Sequence, residues 1–156
     1  MPAVTWWFCV LMALVTFACR STPESPEAQI RALIAKAEKA AEEKDIATLK
    51  GLIADGYADA QGNKKTDLVK LLAFHLSRNE SIHLLTRIRT IDFPEPQRSA
   101  TTVFVGMAAG SLASIDDLLR MRADLYRFDL SLTDEGRGNW KVVGAAWKPA
   151  VADDFK

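Results

Sequence analysis

The chain has 156 residues, 20 of them Lys or Arg and 20 Asp or Glu, so its formal net charge is zero. Balanced charge without a long like-charge block argues against a nucleic-acid-binding protein, which needs clustered Lys and Arg. Cysteine occurs only as Cys9 and Cys19. Beyond them the chain has no internal disulfide, no thiol nucleophile and no thiolate metal ligand, so its stability must come from apolar burial.

Residues 1–18 carry no charged side chain and are rich in Trp, Phe, Leu, Val and Ala; the first charge is Arg20. An apolar run of this length falls short of the about 20 residues of a membrane-spanning helix and suits the core of an export signal. Small Ala18 before Cys19 resembles the cleavage site of bacterial lipoproteins, where the cysteine is diacylated and becomes the new N-terminus. Thr16 and Phe17 depart from that pattern, and the terminal amine is the leader's only positive charge. An ordinary secretory signal and an uncleaved anchor remain as alternatives. Residues 20–26, Arg-Ser-Thr-Pro-Glu-Ser-Pro, are small, polar and Pro-rich, a composition that favours extended, solvated backbone. The expected organisation is a signal peptide at 1–18, a lipidated Cys19 with its tether at 19–26, one domain at 27–150 and a polar tail at 151–156. The expected location is the cell envelope, facing the periplasm or the exterior, with the membrane reached through the Cys19 lipid.

Ser25-Pro26-Glu27 reads as a helix start: Ser caps, Pro suits the first turn and Glu favours the positive helix end. Ile30, Leu33, Ile34 and Ala37 recur at three and four and predict helix 1 over 27–43. The charges from Lys36 to Lys44 alternate in sign and read as a solvated face. Asp45 caps a second helix with Ile46, Leu49, Leu52 and Ile53 inward. Gly51 inside it costs about 1 kcal/mol relative to Ala, and Gly56 ends it. Residues 57–63 read as a short strand that turns at Gly62-Asn63. Thr66 and Asp67 open helix 3, whose apolar stripe is Leu68, Leu71, Leu72, His75 and Leu76.

The period then changes to two. In 81–93, Ile82, Leu84, Thr86 and Ile88 share one face, and His83, Arg87 and Arg89 the other. Pro94 and Pro96 bracket a turn. Residues 99–109 form a strand apolar on both faces around Val103, Phe104 and Val105. A connection over 110–119 leads to a third strand at 121–133. The loop 134–139 is Gly-rich, and 140–147 is the fourth strand, ended by Pro149. Trp140 and Trp147 differ in parity and are expected on opposite faces. Three helices followed by a meander of long strands is an α+β layout.

This order resembles the nuclear transport factor 2-like (NTF2-like) superfamily, the cystatin-like cone fold that includes SnoaL-like proteins. The residues that carry the resemblance are helix 1 leading into Asp45, then Tyr57-Ala58-Asp59 with Gly62 and the helix from Thr66. The closing hairpin adds Arg122-Ala123-Asp124-Leu125-Tyr126-Arg127-Phe128 and Gly138-Asn139-Trp140-Lys141-Val142-Val143. The resemblance implies three N-terminal helices packed on a strongly bent, mostly antiparallel sheet, with an apolar pocket at the open end of the cone. Some members are acid–base enzymes; many others bind ligands or dimerise through the sheet.

Asp124 shares strand parity with Tyr126, Phe128, Leu130 and Leu132. A carboxylate on an otherwise apolar face is a pocket acid–base candidate, unless it pairs with Arg122, Arg87 or Arg89. His75 is a candidate general base if a carboxylate orients it, or a core-edge histidine otherwise. The resemblance puts Tyr57 and Asp59 among pocket residues, and turn support is their plainer role. Phe104 and Trp140 complete the candidate pocket, either lining it or filling it. Elbow, zinc-helix and phosphate-loop motifs are absent, and no metal or cofactor is expected. The leading expectation is a non-catalytic, exported lipoprotein that binds a small apolar ligand or a cell-envelope partner, or dimerises through its sheet. The competing expectation is an isomerase, dehydratase or hydrolase using Asp124 with His75, Tyr57 or Tyr126.

Overall fold

A computed structural model describes residues 24–108, 116 and 123–155. The leader, Cys19, Arg122, most of the connection after the second strand and Lys156 lie outside the described residues.

Helix α1 runs Pro26–Glu42, with the Ser25 hydroxyl accepting from the Ala28 N–H at 3.2 Å. Lys44 takes a left-handed φ of 56° and lets the chain turn directly into α2, Ile46–Gly51, capped by Asp45 on the Thr48 N–H at 2.9 Å. That helix stops at Gly51, earlier than the spacing predicts. Leu52 and Ile53 leave it because their backbone is claimed by the last strand: the Val142 N–H donates to Leu52 O, and Ile53 bridges Val142 in parallel. Residues 57–63 form a turn with one bridge, Ala58 to Lys64, where the sequence suggests a short strand. Helix α3 is Lys65–Ser77, its first turn held by Asp67 accepting from the Lys64 N–H at 3.1 Å.

Four antiparallel strands follow in chain order across one curved sheet: β1 His83–Glu95, β2 Arg98–Ala108, β3 Asp124–Asp134 and β4 Trp140–Pro149. Three register shifts interrupt the ladder: between Ile88 and Thr90 and between Asp92 and Glu95 on β1, and where Ser131 and Leu132 face Gly144 and Val142. Bulges of this kind bend a strand and increase its local twist. Here they also reset parity. Ile88 and Ile91 both join the helix-facing side, and so do Val142 and Ala145.

The concave face takes α1. Ile30, Leu33 and Ile34 pack on Val103, Leu132 and Trp140, and Ile30 is wholly buried. Further along, Ala40 meets Leu49, Leu76 and Ile82, with Leu84 and Met107 closing the sheet side. Two buried hydroxyls on this face, Ser99 and Thr101, satisfy each other at 3.0 Å. The alternating charges of α1 are not all solvated. Glu42 accepts from the Leu84 N–H at 2.8 Å, occupying a donor on the open edge of β1, and Glu38 accepts from the Thr86 hydroxyl.

The outer face has its own small apolar cluster. Phe155, in the 3₁₀ turn Ala152–Phe155, is buried against Phe104 with ring centroids 5.6 Å apart, flanked by Leu85, Leu125 and Ala150. The tail is polar in composition, but its one aromatic residue is seated on the domain. Replacing Phe155 by Ala is expected to cost about 3 kcal/mol of unfolding free energy by urea titration.

Two glycines give opposite expectations. Gly138 has φ +77°, and a Cβ there would sit 2.5 Å from the Gln29 amide that holds the Trp140 N–H at 2.9 Å. Gly138→Ala is therefore expected to cost about 2–3 kcal/mol, from backbone strain plus the displaced Gln29 partner. Gly51 has open space around its Cα at the end of α2. Gly51→Ala is expected to stabilise by about 0.5–1 kcal/mol in the same titration.

Candidate functional site

The concave face is dry at one end and partly open at the other. At the dry end Trp140 is buried, its N–H on Gln29 and its ring edge-on to Phe93 at 6.0 Å. At the other end the ladder sets Phe128 opposite both Val103 and Trp147, and Tyr126 opposite Val105 and Pro149. Tyr126, Phe128 and Trp147 are half-buried and form an aromatic row, with centroid separations of 6.3 and 6.4 Å. Asp124 continues that face at the start of β3, opposite Met107, and is exposed.

The aromatic row departs from the sequence reading in one member. Trp147 lies on the same face as Phe128, and Val142 and Trp140 also belong to the α1-facing core. The two tryptophans therefore share a face, because the bulge between them adds the residue that odd–even counting leaves out. Gly144 marks the place: its Cα lies so close to the 52–58 segment that a Cβ would be 3.2 Å from Ala58 O. Glycine inside a strand is the usual sign of a bulge or of close backbone approach.

The other candidates scatter. Phe104 faces away from the cone. It pairs with Arg87 and Arg127 across the ladder and packs on Phe155, as period two from Val103 demands. His75 is exposed, edge-on to Phe74 at 5.7 Å, while Leu72 and Leu76 form the inward stripe of α3. Among the described residues no hydrogen bond or ion pair joins Asp124 to His75, Tyr126, Arg87 or Arg89. The ion pair on β3 is instead Arg127 with Asp129 at 2.8 Å, on the outer face, where Thr102 also donates to Asp129 at 2.7 Å. Burial opposes ionisation of Asp129, but these partners outweigh it and hold its pKa below the ordinary carboxylate value.

Tyr57 and Asp59 do meet. The Tyr57 ring is buried, and its hydroxyl donates to Asp59 at 3.4 Å. Burial first, then the Asp59 charge, pushes the phenol pKa up to about 12. Asp59 also accepts from the N–H groups of Gln61 at 3.0 Å and Asn63 at 2.8 Å, and from the Asn63 side chain at 2.9 Å. This is an Asx-type turn that shapes 57–63. Desolvation raises the Asp59 pKa, but the hydrogen bonds from Asn63 and Gln61 win and lower it. A carboxylate so committed has little capacity left for proton transfer.

Two depressions stand out on the described surface. One, about 390 Å³, lies between α1, the end of α2 and the β3–β4 loop, with Gln29, Lys36, Leu52 and Trp140 in its walls. The other, about 380 Å³, is on the outer face and holds Arg89, Thr102, Arg127 and Asp154. Neither contains Asp124, His75 or Tyr126. Among the described residues no three His, Asp or Glu side chains gather as a metal site.

No protein-family model and no curated protein matches the chain. Solved structures do. A candidate dehydratase of the NTF2-like family from Streptomyces avermitilis superposes with a TM-score of 0.61 at 14% identity, over 79% of this chain and 95% of that one. A domain of unknown function with a cystatin-like fold from Nostoc punctiforme gives 0.61 at 14% identity, over 83% and 80%. The protein Bd1075 of Bdellovibrio bacteriovorus gives 0.58 at 12% identity over 78% of this chain, which spans only 40% of that protein's length. Three helices laid on a bent four-stranded meander, together with these superpositions, establish that the chain has the NTF2-like, cystatin-like α+β fold.

Proposed function

We propose that this protein is exported, anchored through a lipid on Cys19, and non-catalytic, and that its domain holds a small apolar or amphipathic ligand on the open end of the concave face. The binding reading is carried by one observation, the half-buried row Tyr126, Phe128 and Trp147. Apolar aromatic surface with a polar tip at one end suits an amphipathic molecule. Export and anchoring are supported by the uncharged leader and by Ala18-Cys19 followed by a Pro-rich spacer.

The acid–base alternative has less behind it. A general acid or base acts through a positioned, hydrogen-bonded partner. Asp124 and His75 are both exposed, and Asp59 is spent on its own turn. The dehydratase description of the Streptomyces protein belongs to that protein, and one fold hosts many chemistries.

Titration with dodecanoate, followed by intrinsic tryptophan fluorescence, tests the binding reading. A saturable blue shift is expected, abolished by Trp147→Phe and weakened about tenfold by Phe128→Ala. Asp124→Asn should leave the affinity within about twofold. A folded protein whose spectrum does not respond would remove the ligand. Anchoring is tested separately. Membrane-extracted protein should carry a diacyl mass on Cys19, and Cys19→Ala should release it from the membrane fraction; unchanged association would exclude the lipid.

A further inference from the structure

We propose that the solvent-facing stripe of α3 rests on anionic phospholipid headgroups beside the anchor, so that the domain lies against the bilayer. The inference builds on the anchored reading above.

Helix α3 is apolar on two sides. Its inward side, Leu72 and Leu76, is in the core. Its outward side runs Asp67, Lys70, Leu71, Phe74 and Arg78 at helical spacing, with Leu71 37% and Phe74 55% exposed. An exposed Phe beside an exposed Leu on one helix face is not needed for packing. The Arg78 guanidinium lies 5.2 Å from the Phe74 ring centroid and holds that ring on the outer side. Cations frame the pair. Lys64 and Lys70 are exposed on the helix, and the Lys44 ammonium sits at its C-terminal end on the carbonyls of Asn79 and Glu80. The carboxylates nearby are Asp67, which caps Lys64, Asp55, which pairs with Lys65 at 2.8 Å, and Glu80. In a chain of zero net charge, this makes the α3 surface locally basic.

Aromatic and aliphatic side chains ringed by Lys and Arg are the chemistry of interfacial helices, where apolar groups enter the headgroup layer and cations meet lipid phosphates. So small a patch is too weak to recruit a free protein, but a tether changes the concentration. The seven residues from Cys19 to Ser25 reach at most about 25 Å. Ala40, which packs beside α3, lies about 21 Å along α1 from its first turn at 1.5 Å per residue. With α1 lying along the bilayer, anchor and α3 share one plane. An effective concentration near the millimolar range then makes a weak contact sufficient.

The test places an indole on the patch by Phe74→Trp and reconstitutes the anchored full chain in vesicles containing brominated lipid. In vesicles of phosphatidylglycerol and phosphatidylcholine, extra quenching over the parent chain is expected, falling at least threefold in phosphatidylcholine alone. Adding Lys70→Glu with Arg78→Glu should abolish it with an unchanged circular dichroism spectrum. Absence of extra quenching in a protein that sediments with the vesicles overturns the proposal. So does quenching indifferent to lipid charge, or protection of the indole only when extracted envelope proteins are added, which would make the stripe a protein interface. Should Phe74→Trp alter the fold, Leu71→Trp carries the same measurement. If Cys19 bears no lipid, the anchored reading falls, and the chain held on the same vesicles by an N-terminal His tag on a nickel-chelating lipid decides the α3 contact on its own, by the same quenching.

Discussion

The fold depends on seating one amphipathic helix inside one bent sheet. A regular helix meets a flat sheet along a narrow line, and a stripe as long as Ile30 to Ala40 would stay partly wet. The β1 bulge and the Ser131–Gly144 irregularity curve the strands round α1, so Ile30 and Leu132 are almost fully removed from water. Burial of that kind is the dominant favourable term available to a domain without crosslinks. Polar details support it from the rim: Gln29 on Trp140, Glu42 on the β1 edge, and Leu52 to Ala58 on part of the β4 edge.

The same bulges decide which side chains the concave face presents. Strict alternation along β4 would send Trp147 outward and leave Phe128 without an aromatic neighbour on that strand. With the extra residue at 143–144, Trp147 comes back beneath Phe128 and the aromatic row is continuous. The aromatic row and part of the curvature thus come from one local insertion, which ties the geometry of the open end to the packing of the closed end.

Much of the fold was legible in the sequence because its signals are local. Ser25 and Asp45 cap the helices their types suggest, Asp67 holds the first turn of α3, and helix and strand periods separate cleanly near residue 80. The α1 stripe followed directly from spacing. The candidate site was less legible, because its members depend on tertiary registration. His75 fits a 3.6-residue stripe on paper, but the core touches a narrower arc of α3 and leaves it in water. The β2 strand reads as apolar on both faces; the face that carries Phe104 is explained by Phe155, a contact 51 residues away that no pattern announces. Tyr57 and Asp59, pocket residues by resemblance, do meet, in a turn-building role. Gly144 was the one visible warning that parity would break.

The outer face constrains how copies of the protein could pair through the sheet. Its apolar centre at Phe104 is already covered by the chain's own Phe155. Around it the exposed or half-exposed positions are Arg87, Thr102, Arg127, Asp129 and Lys148, with Arg127 and Asp129 neutralising each other. A second copy docking flat on this face would have to expel the tail or bury those charges, and unpaired buried charge is costly. A sheet-to-sheet dimer therefore has to recover more apolar area than the Phe155 contact gives up. Among the described residues the accessible part of the face is polar, so sheet pairing has little apolar area to gain here.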